Sequence, residues 1–172
     1  MQRALVIVDM VNDLLDPRGS LYCGDRARDI IPFIQGKLAE FHATGEPVFF
    51  ACDAHAQDDP EFRHLPVHAI RGSQGAGIIP ELVVGANDVV IPKRRRSALC
   101  ETNLADLLRE RKVELVEVVG VCTSISVMDT VGDLRNLGLE VVVWRHGVAD
   151  FDAEAHEFSL KRMEKVLGAM VR

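Results

Sequence analysis

The stretch ELVEVVGVCTSISVMDTVGDLRNLGLEVVVW, residues 114–144, decides the fold class. It opens with a continuous apolar run, 114–121, of the kind found in strands covered on both faces. A helix follows through 126–138, and a second apolar run occupies 139–144. Strand, helix and strand in so short a span form a parallel crossover unit.

The same alternation extends both ways. RALVIVD (3–9), EPVFFACD (46–53) and DVVIPK (88–93) read as strands. DIIPFIQGKLAEFHATG (29–45), NLADLLRERK (103–112) and residues 153–168 read as helices. The expected architecture is α/β in three layers, α/β/α, with a mainly parallel sheet of five or six strands. A length of 172 residues suits one domain, 1–172, large enough to bury a core. The exception to the alternation is 54–80, too long for a neutral connection and expected to build a site.

Composition excludes several classes. Twenty basic against 26 acidic side chains give a net charge of −6, which argues against a nucleic acid partner. No apolar run reaches the roughly 20 residues of a membrane span. Asp9 interrupts the first apolar run, so that run reads as a strand rather than a leader, and a cytoplasmic location is expected. Four cysteines without CxxC spacing are expected to be reduced thiols.

In sheets of this kind, sites form at the carboxyl ends of the strands. Those ends carry Asp9, Asp53 and Lys93, then the loop GVCTSISV (120–127), which offers Cys122 and Ser126 as nucleophiles. An acid, an acid, an ammonium and a nucleophile on one edge suit acyl transfer.

Three segments carry a family resemblance over nearly the whole chain. ALVIVDMVNDLLDPRGSLYCG (4–24), VIPKRRRSALCETNLADLLRER (90–111) and VVGVCTSISVMDTVGDLRNLGLEV (118–141) resemble, in order, the aspartate, lysine and nucleophile segments of the isochorismatase-like cysteine hydrolases, which include nicotinamidases. The resemblance implies Asp9, Lys93 and position 126 as the catalytic set. It also implies an oxyanion hole from the backbone N–H groups of Cys122 and Ser126, and a cis peptide between Val121 and Cys122. The family's nucleophilic cysteine falls on Ser126, and Cys122 stands four residues earlier. A serine there is an introduced or natural change that impairs turnover, or a working nucleophile, or a sign that Cys122 has taken over. The residues leave these readings open.

CDAH (52–55) with LPVHAIRGSQGAG (65–77) resembles the metal-binding segments of nicotinamidases. Asp53, His55 and His68 would be the ligands, with Glu61 as a further acid. One carboxylate and two imidazoles suit Zn²⁺, Mn²⁺ or Fe²⁺, and no organic cofactor is implied. On the substrate side, Leu14 replaces the family's usual aromatic. Arg96, within KRRR (93–96), is either a carboxylate receptor or part of a solvated cluster. The implied reaction is cleavage of a C–N bond in a small amide or ureide. The alternatives are a ligand-binding relative without turnover, or a hydrolase of another substrate such as an isochorismate-like vinyl ether. Relatives assemble as homodimers or homotetramers, so an oligomer is implied.

Overall fold

The computed structural model describes residues 1–172. In chain order the elements are β1 (Arg3–Val8), α1 (Asn12–Leu15), α2 (Asp25–Asp29), α3 (Ile31–Thr44), β2 (Val48–Asp53), β3 (Val89–Lys93), α4 (Leu104–Glu110), β4 (Leu115–Val121), α5 (Met128–Asn136), β5 (Glu140–Ala149), α6 (Ala153–Lys165) and β6 (Met170–Val171). All six strands join one parallel sheet in the order β3-β2-β1-β4-β5-β6. The expected α/β architecture is what the chain adopts.

Alternation of side chains along the strands splits the core in two. Leu5, Ile7, Val48, Phe50, Val119 and Val121 point to one face, where Ile34, Leu38 and Phe41 of α3 and Leu14 and Leu15 of α1 cover them. Ala4, Val6, Val8, Phe49, Ala51, Val116 and Val118 point to the other, beneath Leu104, Leu108, Val131, Leu134, Leu160 and Met163 of α4, α5 and α6. Each fully buried Leu, Ile, Val or Phe contributes about 1.5–3 kcal/mol relative to exposure. The two-sided covering explains why the strands read as unbroken apolar runs rather than alternating ones.

Two glycines are required where they stand. Gly45 ends α3 at φ 70°, a left-handed turn that returns the chain toward β2. Gly120 of β4 pairs with Val8 of β1 at φ 119°, and a Cβ there would overlap the carbonyl oxygen of Val8.

Glu117 is the polar exception inside β4. Its carboxylate meets Lys37 Nζ at 2.7 Å and Arg3 at 2.9 Å, and accepts the Trp144 indole N–H at 2.6 Å. Trp144 therefore turns inward onto Phe33 and Lys37 of α3. Glu117→Gln keeps the shape and removes the charge that two cations need. It is expected to cost about 2 kcal/mol in denaturant unfolding. A loss under about 0.5 kcal/mol, the range of ordinary surface changes, would mark the network as a bystander.

The structure extends the expected strands in two places. β5 runs on to Ala149, and a two-residue β6 closes the far edge. β1 lies between β2 and β4, so the chain builds outward from β1 to β3, then returns to β4 and builds the other way. The crevice between the carboxyl ends of β1 and β4 is thus the topological switch point.

Candidate active site

Asp9 is the first residue past β1. Its left-handed backbone, φ 52°, is one that aspartate tolerates, and it turns the carboxylate toward the end of β2. There Asp9 Oδ1 accepts the Asp53 backbone N–H at 2.8 Å. Asp53 and Lys93 end β2 and β3 in register with each other. The Lys93 side chain is fully buried, and its ammonium has three partners: Asp53 Oδ1 at 2.5 Å, the Arg95 carbonyl at 3.1 Å and Asp9 Oδ2 at 2.8 Å. The last contact is close without the alignment of a hydrogen bond, so Asp9 Oδ2 keeps acceptor capacity.

Two buried acids share one buried cation, and their environments separate them. Burial, then the charge of Asp53, raises the Asp9 pKa to about 6 against the pull of Lys93. Asp53 goes the other way: burial opposes its charge, but Lys93 and the two histidines hold it well below the carboxylate range. Lys93 stays charged, because Asp9 and Asp53 together overcome the burial that works against it.

Ser126, nearly fully buried, lies in a π-helical turn, Thr123–Val127, between β4 and α5. Its hydroxyl is among the groups that favour ionised Asp9. The structure therefore brings Asp9, Lys93 and Ser126 to one place. The Val121–Cys122 peptide that opens the turn is cis. Cys122 Sγ lies 3.1 Å from Cys23 Sγ inside the core, and that contact, with burial, pushes its pKa far up. Such a thiol is a poor source of thiolate.

Two residues that hold this turn escaped the sequence reading. Asp150 Oδ2 accepts the Ser124 backbone N–H at 2.7 Å, and Thr123 Oγ1 meets His156 Nδ1 at 2.8 Å. Asp150 is the residue just past β5, so the strand-end rule finds it once that strand is carried to Ala149. His156, in the first turn of α6, is drawn in by Thr123.

Asp53, His55 and His68 also converge. A short parallel bridge between His55 and Ile70, with the His55 N–H on the Ala69 carbonyl, folds the 54–80 segment back so that both imidazoles face Asp53. His55 Nε2 is 3.5 Å and His68 Nε2 3.7 Å from Asp53 Oδ2. Ligand atoms about 3.3 Å apart are what a tetrahedral ion with bonds near 2.0–2.1 Å requires. His68 Nδ1 is satisfied by the Pro66 carbonyl at 2.8 Å, which leaves Nε2 for a ligand bond. His55 is 1% exposed, yet neither ring nitrogen has a hydrogen-bond partner. Buried polar atoms seldom go unpaired. The donor set and its orphaned imidazole therefore fit a divalent metal.

Leu14 and Arg96 sit differently. Leu14 packs in the same core cluster as Cys122, with Ile125 at its edge. Arg96 is exposed, pairs with Asp129 at 3.2 Å, and lines an open groove outside the buried cluster.

The isochorismatase domain family matches residues 3–172. The chain belongs to the isochorismatase family. Among the family's curated members, PncA of Bacillus subtilis strain 168 is 34% identical, with 99% of each chain covered. A crystal structure of nicotinamidase PncA from Bacillus subtilis superposes with a TM-score of 0.95, at 35% identity and 99% coverage of both chains. A pyrazinamidase of Pyrococcus horikoshii in complex with zinc gives 0.93, at 27% identity, covering 100% of this chain and 99% of that one. No helix of this isochorismatase-family protein is long and apolar enough to cross a membrane.

Proposed function

We propose that this protein hydrolyses the C–N bond of a small amide or ureide, in the manner of a nicotinamidase, with Ser126 as a slow nucleophile. One observation carries the reading: a fully buried ammonium, Lys93, is clamped between Asp9 and Asp53 at 2.8 and 2.5 Å beside a buried hydroxyl. A structural core gains little from such a cluster, since burying ions costs several kcal/mol each. An acyl-transfer site needs it.

Ser126 Oγ attacks the amide carbonyl while Asp9 takes the hydroxyl proton. The C–N bond breaks as Asp9 passes that proton to the departing nitrogen, which leaves as ammonia or an amine. Water, deprotonated by Asp9, then attacks the serine ester, the acyl C–Oγ bond breaks to release the acid, and Asp9 returns the proton to Ser126 Oγ. With its pKa raised to about 6 by burial, Asp9 is a better base than an ordinary carboxylate and still ionised at neutral pH. Lys93 offsets part of the negative charge of Asp9 and Asp53 while oxyanion charge develops. The backbone N–H groups of Cys122 and Ser126 are assigned to that oxyanion. Asp53, His55 and His68 would hold Zn²⁺, Mn²⁺ or Fe²⁺, which supplies a Lewis acid to polarise or orient a substrate group.

A second reading has one observation in its favour: position 126 carries a hydroxyl, and the thiol of the same loop, Cys122, is pushed away from ionising by Cys23 and burial. On that reading the protein binds an amide without turning it over. Incubating the protein with a panel of amides that includes nicotinamide, with ammonia release followed by a coupled assay and intact mass by spectrometry, separates the two. Slow ammonia release with an acyl adduct on the Ser126 peptide is expected. A ligand that binds and is recovered unchanged, with no adduct, would favour the binding protein.

A further inference from the structure

We propose that Asp59 is the positioning residue for His55, accepting its Nδ1 proton and so aiming Nε2 at the metal. The inference rests on the reading of Asp53, His55 and His68 as a metal centre. A neutral imidazole has one N–H and one lone pair, and a metal ligand must keep the lone pair on the bonding nitrogen. His55 Nε2 faces Asp53 Oδ2, and Nδ1 faces Asp59 Oδ2 at 3.7 Å. That separation is just beyond a hydrogen bond, and a shift of well under 1 Å by the ring as it meets a metal would close it. His68 already has this support from the Pro66 carbonyl. Asp59 is the matching group for the second histidine.

Asp59 is fixed in advance. Its side chain is fully buried, and Oδ1 accepts the Glu61 N–H at 3.2 Å, capping the short 3-10 turn Pro60–Arg63. Arg94 reaches Oδ2 at 3.3 Å and Arg95 reaches Oδ1 at 3.4 Å. The basic run after Lys93 thereby gains a purpose. Lys93 holds Asp9 and the metal-site acid Asp53, and the next two arginines hold the acid behind the metal ligand. Carboxylates behind ligating histidines fix ring orientation and raise ligand basicity, and their loss typically weakens metal binding 10–100-fold.

The rival arrangement is a second cation site, because His55, Asp59 and Glu61 also lie within 4.8 Å of one another. Two arginines on Asp59 oppose a further cation there.

Zinc titrated into chelator-treated protein, in competition with a chromophoric chelator, tests the proposal. The wild type is expected to take one zinc per chain. Asp59→Ala should weaken zinc binding about 10–100-fold, and Asp59→Asn, which keeps one acceptor oxygen, should weaken it less. Equal affinities in all three proteins would overturn this inference alone. Two zinc ions in the wild type falling to one in Asp59→Ala would replace it with the second site. A wild type that binds no zinc would sink the metal reading and this inference with it. Should the variants not fold, nitrogen–proton correlation spectra of the zinc-loaded wild type decide: His55 must carry its proton on Nδ1, and a ligating or unprotonated Nδ1 overturns the assignment.

Discussion

Ser126→Cys is expected to raise the rate of amide hydrolysis by about 10³-fold or more, the scale on which activation of a nucleophile operates. The surroundings are built for a thiol. A buried ammonium lies beside the site, and the π-helical turn feeds into α5, whose amino end carries partial positive charge worth about 0.3–1 kcal/mol to an anion. A thiol near pKa 8.5 can be ionised by such neighbours. A serine hydroxyl lies several units higher, and each unit costs about 1.36 kcal/mol. Serine must therefore lose its proton to Asp9 in concert with attack. Steady-state ammonia release over the amide panel, with single alkylation of the new thiol as a control, measures the gain. No gain on any amide would remove position 126 from the chemistry and return the case to the binding reading.

Lys93→Met carries the largest expected loss of stability, about 3–5 kcal/mol, the usual result of removing one partner from a buried ion cluster. Methionine fills the volume and supplies no charge, so two carboxylates less than one side chain apart lose their only shared cation. The Arg95 carbonyl loses its donor as well. Denaturant unfolding of chelator-treated protein reads the loss without interference from metal at Asp53. Hydrolytic activity should vanish in whatever fraction remains folded. A loss below about 1 kcal/mol would mean that the acids are not held together by the lysine.

Much of this was legible in the sequence because burial on both faces leaves an unmistakable mark. Six-residue runs such as ALVIVD and VFFACD admit few readings besides parallel strands. Their final polar residues, Asp9, Asp53 and Lys93, then mark the edge where the buried charge cluster forms. Strand order was not legible, since nothing local records that β4 inserts beside β1. Asp150 was hidden because β5 continues through Arg145, His146 and Gly147, where the apolar pattern breaks while the pairing with β4 resumes after an irregularity. His156 and Asp59 act through partners 33 and 35 residues away, Thr123 and Arg94, and no periodicity announces such contacts. The pairing of Cys23 with Cys122 likewise appears only when residues 99 apart are packed together.

The order of the strands has a consequence for biosynthesis. As the ribosome delivers residues up to about Lys112, the nascent chain can assemble β1, β2 and β3, but β1 is then an outer strand. Its unpaired amides and carbonyls belong to a wholly apolar segment that ends fully buried, Ala4–Val8, and such exposed edges invite association between chains. Only translation of Leu115–Val121 caps it. The period between those two events is when a cell's chaperones have most to protect.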